Sequence, residues 1–312
     1  MIEGLFRTPR SYALLSIAAA VSTAVIKLAA WRATDSVGLL SDALESLVNL
    51  AAAAMAYWAL SLAAKPADAS HPYGHSKAEY FSSGVESALI LVAAFAICQA
   101  ALSRLAQPET LAALGTGVAL SLVATAINGF TAWTLLGASR RFDSIGLRAD
   151  AHHLLTDVWT SIGVVLALGL VQLTGLTILD PLIAIGVALN IVWTGWGLLR
   201  ETLSGLLDRS LPEQEQRQLE ALLNRHRQGG LAFHAVRGRV AGSKRFVSLH
   251  VLVPGCWTVA HGHAICDGLE QEIAATLPRT HVITHLEPIE DPASWDDEAF
   301  VWDRSSDGAS GR

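Results

Sequence analysis

Six long apolar segments are the feature of this sequence that most limits how the chain can fold. They cover approximately residues 12–31, 38–63, 79–105, 112–137, 146–172 and 177–200. Each is close to the ~20 residues that an α-helix needs to cross a bilayer, and short loops separate them. The sequence therefore predicts an all-α, six-helix transmembrane bundle.

The charged residues lie mostly outside these segments. The 312 residues are 52% hydrophobic and 16% charged, and nearly all of the charge precedes residue 10, lies in short loops, or follows residue 200. This distribution predicts a transmembrane domain over residues 1–208 with a soluble domain behind it. A net charge of −6 gives no reason to expect nucleic-acid binding. The three cysteines form no close pair, which argues against a disulfide framework and is compatible with a reducing cytosol.

The basic residues beside the segments predict the orientation of the chain in an integral membrane protein. If both termini are cytoplasmic, nine flanking Lys and Arg residues lie inside and two lie outside, as the positive-inside rule requires. The nine are Arg7, Arg10, Lys65, Lys77, Arg140, Arg141, Arg148, Arg200 and Arg209, and the two are Arg32 and Arg104.

Residues 209–290 have the pattern of a small α+β domain of order αββαβ. The predicted elements are a helix, two strands, a helix and a strand, over 214–228, 231–241, 245–253, 258–277 and 281–287. Gly242-Ser243 between the first two strands is typical of a hairpin. The acidic, Ser- and Gly-containing stretch 291–312 is expected to be disordered.

Two of the apolar segments carry polar side chains at a spacing of four residues. Glu45 and Asn49 lie in the second segment, and His153 and Asp157 lie in the fifth. This spacing places both members of a pair on one face of a helix, about 6 Å apart along its axis. Ionisable residues in hydrocarbon are costly and usually face a partner or a pathway. Two carboxylates, an imidazole and an amide suit one divalent cation, although interhelical hydrogen bonding is an alternative role.

Other polar residues admit two interpretations. Asp42 and Asp150 lie one turn before the two pairs, and helix-end hydrogen bonding is the favoured role for them. Asp68, His71 and His75 lie in the loop after the second segment. Pro and Gly between the two histidines predict a turn that can bring all three side chains onto one ion, and a solvated loop is the alternative.

The predicted C-terminal domain is rich in histidine. Its histidines are His226, His234, His250, His261, His263, His281 and His285. Strand alternation places His281, His285 and Glu287 on one face. His263 and Asp267 are one helical turn apart.

Three motifs make the chain resemble the cation diffusion facilitator family, whose members include bacterial zinc and iron efflux transporters. They are SDALESLVN at residues 41–49, HPYGHSKAE at 71–79 and DAHHLLTD at 150–157. Together with six spans and an αββαβ domain, which is ferredoxin- or metallochaperone-like in the family, the resemblance covers about residues 10–290.

The resemblance implies a homodimeric metal/proton antiporter, not an enzyme, that exports a divalent transition metal from the cytosol. The implied location is the bacterial inner membrane, in contact with lipid. The implied metal ligands are Glu45, Asn49, His153 and Asp157 in the membrane, Asp68, His71 and His75 in the loop, and His234, His250, His263, His285 and Glu287 in the cytosolic domain. Lys77 and Asp208 match a charge pair that ties the membrane domains to the dimer junction.

The identity of the metal is open at the level of the sequence. Glu45 and Asn49 stand where zinc carriers of the family usually have His or Asp and then Asp, and Leu286-Glu287 stands where Gln-Asp is common. Zinc is favoured, and iron, manganese, cobalt or cadmium are the other candidates, as substrate and as regulator.

Two other functions compete with metal export. A non-transporting, membrane-anchored metal sensor or accessory subunit would need no polar pairs within the spans. A membrane metalloenzyme would need an open ligand position beside a general base, and the sequence has no HExxH pattern.

Overall fold

The computed structural model describes residues 7–34, 37–106, 116–176 and 178–295, and the chain divides after Leu206 into two units. Within these described residues, the first unit contains six long helices. Their bounds are Pro9–Thr34 (α1), Val37–Ala63 (α2), Ala78–Ala106 (α3), Thr116–Phe142 (α4), Ile145–Thr174 (α5) and Leu179–Leu206 (α6). The helical bundle predicted from the apolar segments is confirmed.

Five of these helices, α1 to α4 and α6, are long and apolar enough to cross a membrane within the described ranges. The remaining helix, α5, has 30 residues and carries a cluster of polar side chains in its first half. The helices α4 and α6 continue past the predicted ends at residues 137 and 200. Hydropathy detects only the apolar part of a helix, whereas the backbone hydrogen bonds continue through Arg140, Arg141 and Arg200.

Small residues bring the helices of the first unit close together. The helix α3 packs against α6, α1 packs against α2 and α4, and α5 contacts α3, α4 and α6. Most of the apolar side chains buried in this unit, among the described residues, are alanines, such as Ala56, Ala94 and Ala132. Helix association in a membrane depends on close van der Waals packing, which small side chains allow.

The start of α5 is anchored to α3 by a buried carboxylate. Ser144 is the N-cap of α5, and its hydroxyl oxygen accepts a hydrogen bond from the Leu147 N–H. The same hydroxyl donates to Glu79 Oε2 at 2.5 Å, and the Gly146 N–H donates to that oxygen at 3.4 Å. An acceptor at this position satisfies amide groups that the first turn leaves without helical partners. This contact sets the depth at which the polar residues of α5 lie.

The second unit has the predicted αββαβ order. Its elements are Glu213–Gln228 (α7), Ala232–Ala241 (β1), Lys244–Val253 (β2), Val259–Thr276 (α8) and Thr280–Pro288 (β3). The sheet order is β1-β2-β3, with β1 and β2 antiparallel and β2 and β3 parallel. A parallel pair needs a crossover connection, which α8 supplies.

The turn and the core of the second unit follow from the sequence pattern. Gly242, with a φ of 58°, occupies the two-residue turn between Ala241 and Lys244. The left-handed backbone of such a turn favours glycine. The helices cover one face of the sheet, and Leu222, Val251 and Ile273 are among the side chains buried there.

The stretch expected to be disordered begins with five described residues, 291–295, that are packed against the domain. Ser294 Oγ donates to the Pro288 carbonyl at 2.9 Å, and Trp295 Nε1 donates to the Ile289 carbonyl at 3.1 Å. These contacts hold the chain back against the end of β3, which composition alone does not reveal. Residues 296–312 lie outside the described residues.

Replacing Gly205 with alanine is expected to destabilise the transmembrane domain. A Cβ at this position of α6 would lie 2.2 Å from Cε1 of the buried Tyr80 ring on α3. Overpacking of this kind costs about 1–3 kcal/mol. The measurement is the midpoint of thermal unfolding of purified protein in detergent.

Gly197→Ala on the same helix is the matched control, because its Cβ would meet nothing within 4 Å. Alanine in a helix is favoured over glycine by about 1 kcal/mol, so this variant is expected to match or exceed the parent in stability. Equal midpoints for the two variants would contradict the packing argument.

Candidate metal centres

A buried polar cluster joins α2 to α5 in the middle of the first unit. His153 Nε2 lies 2.7 Å from Asn49 Oδ1, and Asn49 Nδ2 donates to Asp157 Oδ2 at 2.5 Å. All three residues are at most 7% exposed. The amide of Asn49 thus bridges the imidazole and the carboxylate, and the structure brings together three of the four residues predicted for the membrane.

The fourth predicted residue, Glu45, lies on α2 one turn before Asn49. Its side chain, like that of Asp42, lies outside the described residues. Its role as a ligand therefore stays a prediction.

The fourth helix adds a residue that the sequence analysis missed. Asn128 of α4 is 2% exposed, and its Nδ2 donates to Asp157 Oδ2 at 3.1 Å. Asn128 has no polar neighbour four residues away that would have marked it as one of a pair. An amide within an apolar segment is the only signal that the sequence offers for it. We call Asn49, Asn128, His153 and Asp157 the membrane site.

The membrane site offers several ligand atoms to a cation. When His153 Nε2–H donates to Asn49, Nδ1 carries the free lone pair. Among the described residues, neither His153 Nδ1 nor Asn128 Oδ1 has a hydrogen-bond partner, and both atoms are buried. When ionised, the Asp157 carboxylate supplies negative charge beside these neutral ligand atoms. A cation with affinity for nitrogen and oxygen could bind these two atoms, which have no hydrogen-bond partner among the described residues.

The three residues predicted for the loop, Asp68, His71 and His75, also lie close together. We call them the loop site. Asp68 Oδ1 lies 3.4 Å from His71 Nδ1, and Asp68 Oδ2 lies 3.4 Å from His75 Nε2. One ligand atom from each of the three residues falls within 4.8 Å of the others. The turn predicted from the sequence is present, since the Gly74 N–H donates to the His71 carbonyl and Gly74 has a φ of 85°.

The loop backbone stabilises the ionised form of the Asp68 carboxyl. The His71 N–H donates to Asp68 Oδ1 at 2.8 Å, and this hydrogen bond is the main reason why the pKa of the Asp68 carboxyl is below its ordinary value. A carboxyl with a lowered pKa is ionised throughout the neutral range. At neutral pH the loop site therefore presents a full negative charge between two imidazoles.

Three strands bring histidines together in the second unit. His234 of β1 lies opposite His250 of β2, which in turn lies opposite His285 of β3. The ring centroids are 4.7 Å apart for the first pair and 5.0 Å apart for the second. A β-bulge follows His234, where Ala235 has a φ of 50° and the register with β2 shifts.

Glu287 completes this group from the same face of β3. Its Oε2 lies 2.7 Å from His234 Nε2, and its Oε1 lies 3.2 Å from His250 Nδ1. His234, His250 and Glu287 offer ligand atoms within 4.8 Å of one another, and we call them the C-terminal site. His285 lies at its edge, with Nε2 at 3.5 Å from Glu287 Oε1. Trp295 stacks on the His234 ring with centroids 5.9 Å apart, so the start of the tail covers this site.

Two further predicted groups have other contacts. His263 of α8 is exposed and lies 3.8 Å from Asp267, its neighbour one turn along the helix. Lys77 Nζ donates to the Leu206 carbonyl at 3.3 Å, and Asp208 accepts from Arg239 at 2.9 Å. The ligand role of His263 and the pairing of Lys77 with Asp208 stay predictions.

Comparisons with known proteins assign both units. A family described as the cation efflux transmembrane domain matches residues 13–207, and one described as the cation efflux protein cytoplasmic domain matches residues 211–289. An uncharacterized transporter of Synechocystis sp., sll1263, is 55% identical over 289 residues, which cover 93% of each chain.

Pumps with an assigned activity are also similar. The cation-efflux pump FieF of Klebsiella pneumoniae is 31% identical over 280 residues, covering 88% of this chain and 91% of the pump. FieF of Pectobacterium atrosepticum is 30% identical over 292 residues, covering 90% and 95%. These likenesses extend over both units.

Replacing Asn128 with alanine is expected to weaken cation binding at the membrane site. Asn128 orients the Asp157 carboxylate, and loss of a residue that orients a metal ligand typically reduces affinity about 10–100-fold. The measurement is calorimetric titration of Zn²⁺ into protein that also carries His75→Ala and His250→Ala, which weaken the other two sites. Asn190→Ala is the control because Asn190 is exposed on α6, and equal affinity in the Asn128 variant would refute its positioning role.

Proposed function

The chain belongs to the cation efflux family of membrane transporters, and we propose that it exports a divalent transition-metal cation from the cytosol in exchange for protons. Members of this family are transporters, not enzymes. The main observation behind the proposal is the buried, hydrogen-bonded cluster of Asn49, His153 and Asp157 between two helices of the bundle. Polar groups of this kind inside a membrane domain usually mark an ion pathway.

Binding at the membrane site would replace contacts that the side chains make with one another. The Asn49 amide N–H now bonds to Asp157, and the His153 ring bonds to the Asn49 oxygen. A cation bound by the imidazole and the carboxylate would take the place of the amide N–H at Asp157. Glu45 is proposed as a further ligand whose carboxylate would offset the second positive charge.

Competition between metal and protons supplies the coupling. An imidazole and a carboxylate must be deprotonated to ligate a metal, so each bound ion displaces protons. We place both termini in the cytoplasm of a bacterial cell and the helices in its inner membrane. The cation then binds from the cytosol, the bundle opens outward, and protons from the outer side displace the metal. An inward proton gradient therefore drives the metal out.

Zinc is the favoured substrate, with iron, manganese, cobalt and cadmium as the other candidates. Imidazole and carboxylate ligands suit zinc. The uncharged amide oxygen of Asn49 is a weaker ligand than a carboxylate. The site is therefore less selective for zinc, and the other four cations stay candidates.

The loop site and the C-terminal site are proposed to regulate transport in a homodimer. Each combines imidazoles with a carboxylate at distances that one ion can bridge, and neither lies in the helical bundle. Cytosolic metal bound there would bring the two C-terminal domains of the dimer together and bias the state of the membrane domain. We propose that this regulation also involves His263, His285 and the Lys77–Asp208 pair.

Asp157→Ala is expected to abolish metal transport. The variant removes the negative charge of the membrane site, which Asn49 and Asn128 both contact. The measurement is Zn²⁺ uptake into inside-out membrane vesicles with an acidic interior. Wild-type uptake should stop when the pH gradient is collapsed.

Asp180→Asn is the control, because Asp180 is also buried in the bundle but pairs with Arg104 at 2.9 Å. Persistent uptake by the Asp157 variant would rule out the membrane site, and wild-type uptake that ignores the gradient would rule out proton exchange. Wild-type protein that binds metal but never transports it would favour a membrane-anchored sensor or accessory subunit.

Asn49→Asp is expected to change the order in which metals are transported. A second carboxylate beside Asp157 adds negative charge and favours zinc over cations that bind the amide oxygen. The measurement is competition among zinc, iron, manganese, cobalt and cadmium in proteoliposomes. An unchanged ranking would show that this position does not set selectivity.

A further inference from the structure

A pair of buried carboxylates lies in the helical bundle, apart from the three sites described above. Glu86 of α3 and Asp150 of α5 are 0% and 2% exposed. Their helices pack against each other at this level, since Ile90, one turn after Glu86, and Ala149, next to Asp150, belong to one buried cluster. Glu86 was not singled out from the sequence, and hydrogen bonding near a helix end was the role expected for Asp150. The N-cap of α5 is Ser144, so Asp150 does not cap the helix.

One oxygen of each carboxylate is held by a hydroxyl group. Ser16 Oγ of α1 donates to Asp150 Oδ1 at 2.9 Å, and Ser82 Oγ of α3 donates to Glu86 Oε1 at 2.9 Å. The other oxygens, Glu86 Oε2 and Asp150 Oδ2, are buried and have no hydrogen-bond partner among the described residues. Hydroxyl donors that fix one oxygen while the other stays open are typical of carboxylates that ligate a metal.

Ionising both carboxylates of this pair requires a counterion. Two carboxylates in a medium of low dielectric repel each other, and each pays a large desolvation cost. The described part of the chain gives neither one a Lys or Arg partner. Two negative charges with open oxygens match the charge and the ligand preference of a hard divalent cation.

Asp150 lies on the same helix as two residues of the membrane site, nearer to the start of that helix. Asp150 precedes His153 on α5 by three residues, about 4.5 Å along the axis, and precedes Asp157 by seven, about 10 Å. All three side chains are buried, as expected for residues on one face of the helix. In the proposed orientation α5 begins at the cytoplasm, so a cation would reach Asp150 before it reaches His153.

We propose that Glu86 and Asp150 form an additional divalent-cation subsite, oriented by Ser16 and Ser82, through which the cation passes on its way from the cytosol to the membrane site. The open oxygens Glu86 Oε2 and Asp150 Oδ2 are its ligand atoms. The proposal that these two carboxylates bind a cation does not depend on the proposed proton-driven export. Its place on the transport path depends on the proposed direction of export.

The experiment measures Mn²⁺ binding to protein in lipid nanodiscs, by the electron paramagnetic resonance signal of the free ion. The background variant carries Asp157→Asn, His75→Ala and His250→Ala, which disable the three other sites. This background is expected to retain one Mn²⁺ per protomer. Adding Glu86→Gln or Asp150→Asn, which keep the side-chain shape, should weaken binding at least tenfold.

Asp180→Asn in the same background is the matched control, because its carboxylate already pairs with Arg104 and should leave the retained ion in place. Unfolding midpoints of all variants show whether a loss of binding is a loss of fold. Should a carboxylate variant fail to fold, Ser16→Ala and Ser82→Ala each remove one orienting hydroxyl and should weaken binding severalfold.

Two results would overturn the proposal. One is a background protein that binds no Mn²⁺, and the other is a retained ion that is indifferent to Glu86, Asp150 and both serines. Neither result bears on metal export itself, because the membrane site is disabled in every variant compared. Failure of the subsite is therefore distinguishable from failure of the transport function.

Discussion

The contact between the amide of Asn49 and the two polar residues of α5 is the interaction on which the centre of the bundle depends. An imidazole and a carboxylate cannot lie unpartnered in an apolar interior without a large free-energy cost. Asn49 and Asn128 supply partners from α2 and α4, so three helices must present specific faces to one another. The need to satisfy these groups selects one rotation for each helix, which apolar packing of alanines alone would leave less defined.

The depth of α5 is set separately from its rotation. Glu79 at the start of α3 accepts hydrogen bonds from Ser144 and Gly146, where α5 begins. Because a helix rises about 1.5 Å per residue, fixing residue 144 also fixes the level of Asp150, His153 and Asp157. The buried carboxylates of Glu86 and Asp150 lie on the packed helices α3 and α5, and Asp150 takes its level from this anchor. The same anchor thus positions both polar levels of the bundle.

The C-terminal site arises from strand register instead of helix faces. His234, His250 and His285 are far apart in sequence, and they become neighbours because the three strands align them in one row. Glu287 follows His285 by two residues, so the pleat returns its carboxylate to the same face. The tail residue Trp295 then covers His234 from the end of β3. Aligned strands and a short returning segment are sufficient to build this group without any local sequence motif.

The sequence by itself determined the elements and the paired residues, because both depend on local spacing. Apolar runs of about 20 residues give the helices, alternation gives the strands, and a spacing of four gives the pair His153 and Asp157. Only the tertiary structure decided which helices meet, so it alone revealed Asn128 as a partner of Asp157 and showed that Glu86 and Asp150 are both buried on packed helices. Asn128 has no polar neighbour four residues away and Glu86 has only the hydroxyl of Ser82, so the significance of both residues comes from other helices, which no local pattern encodes.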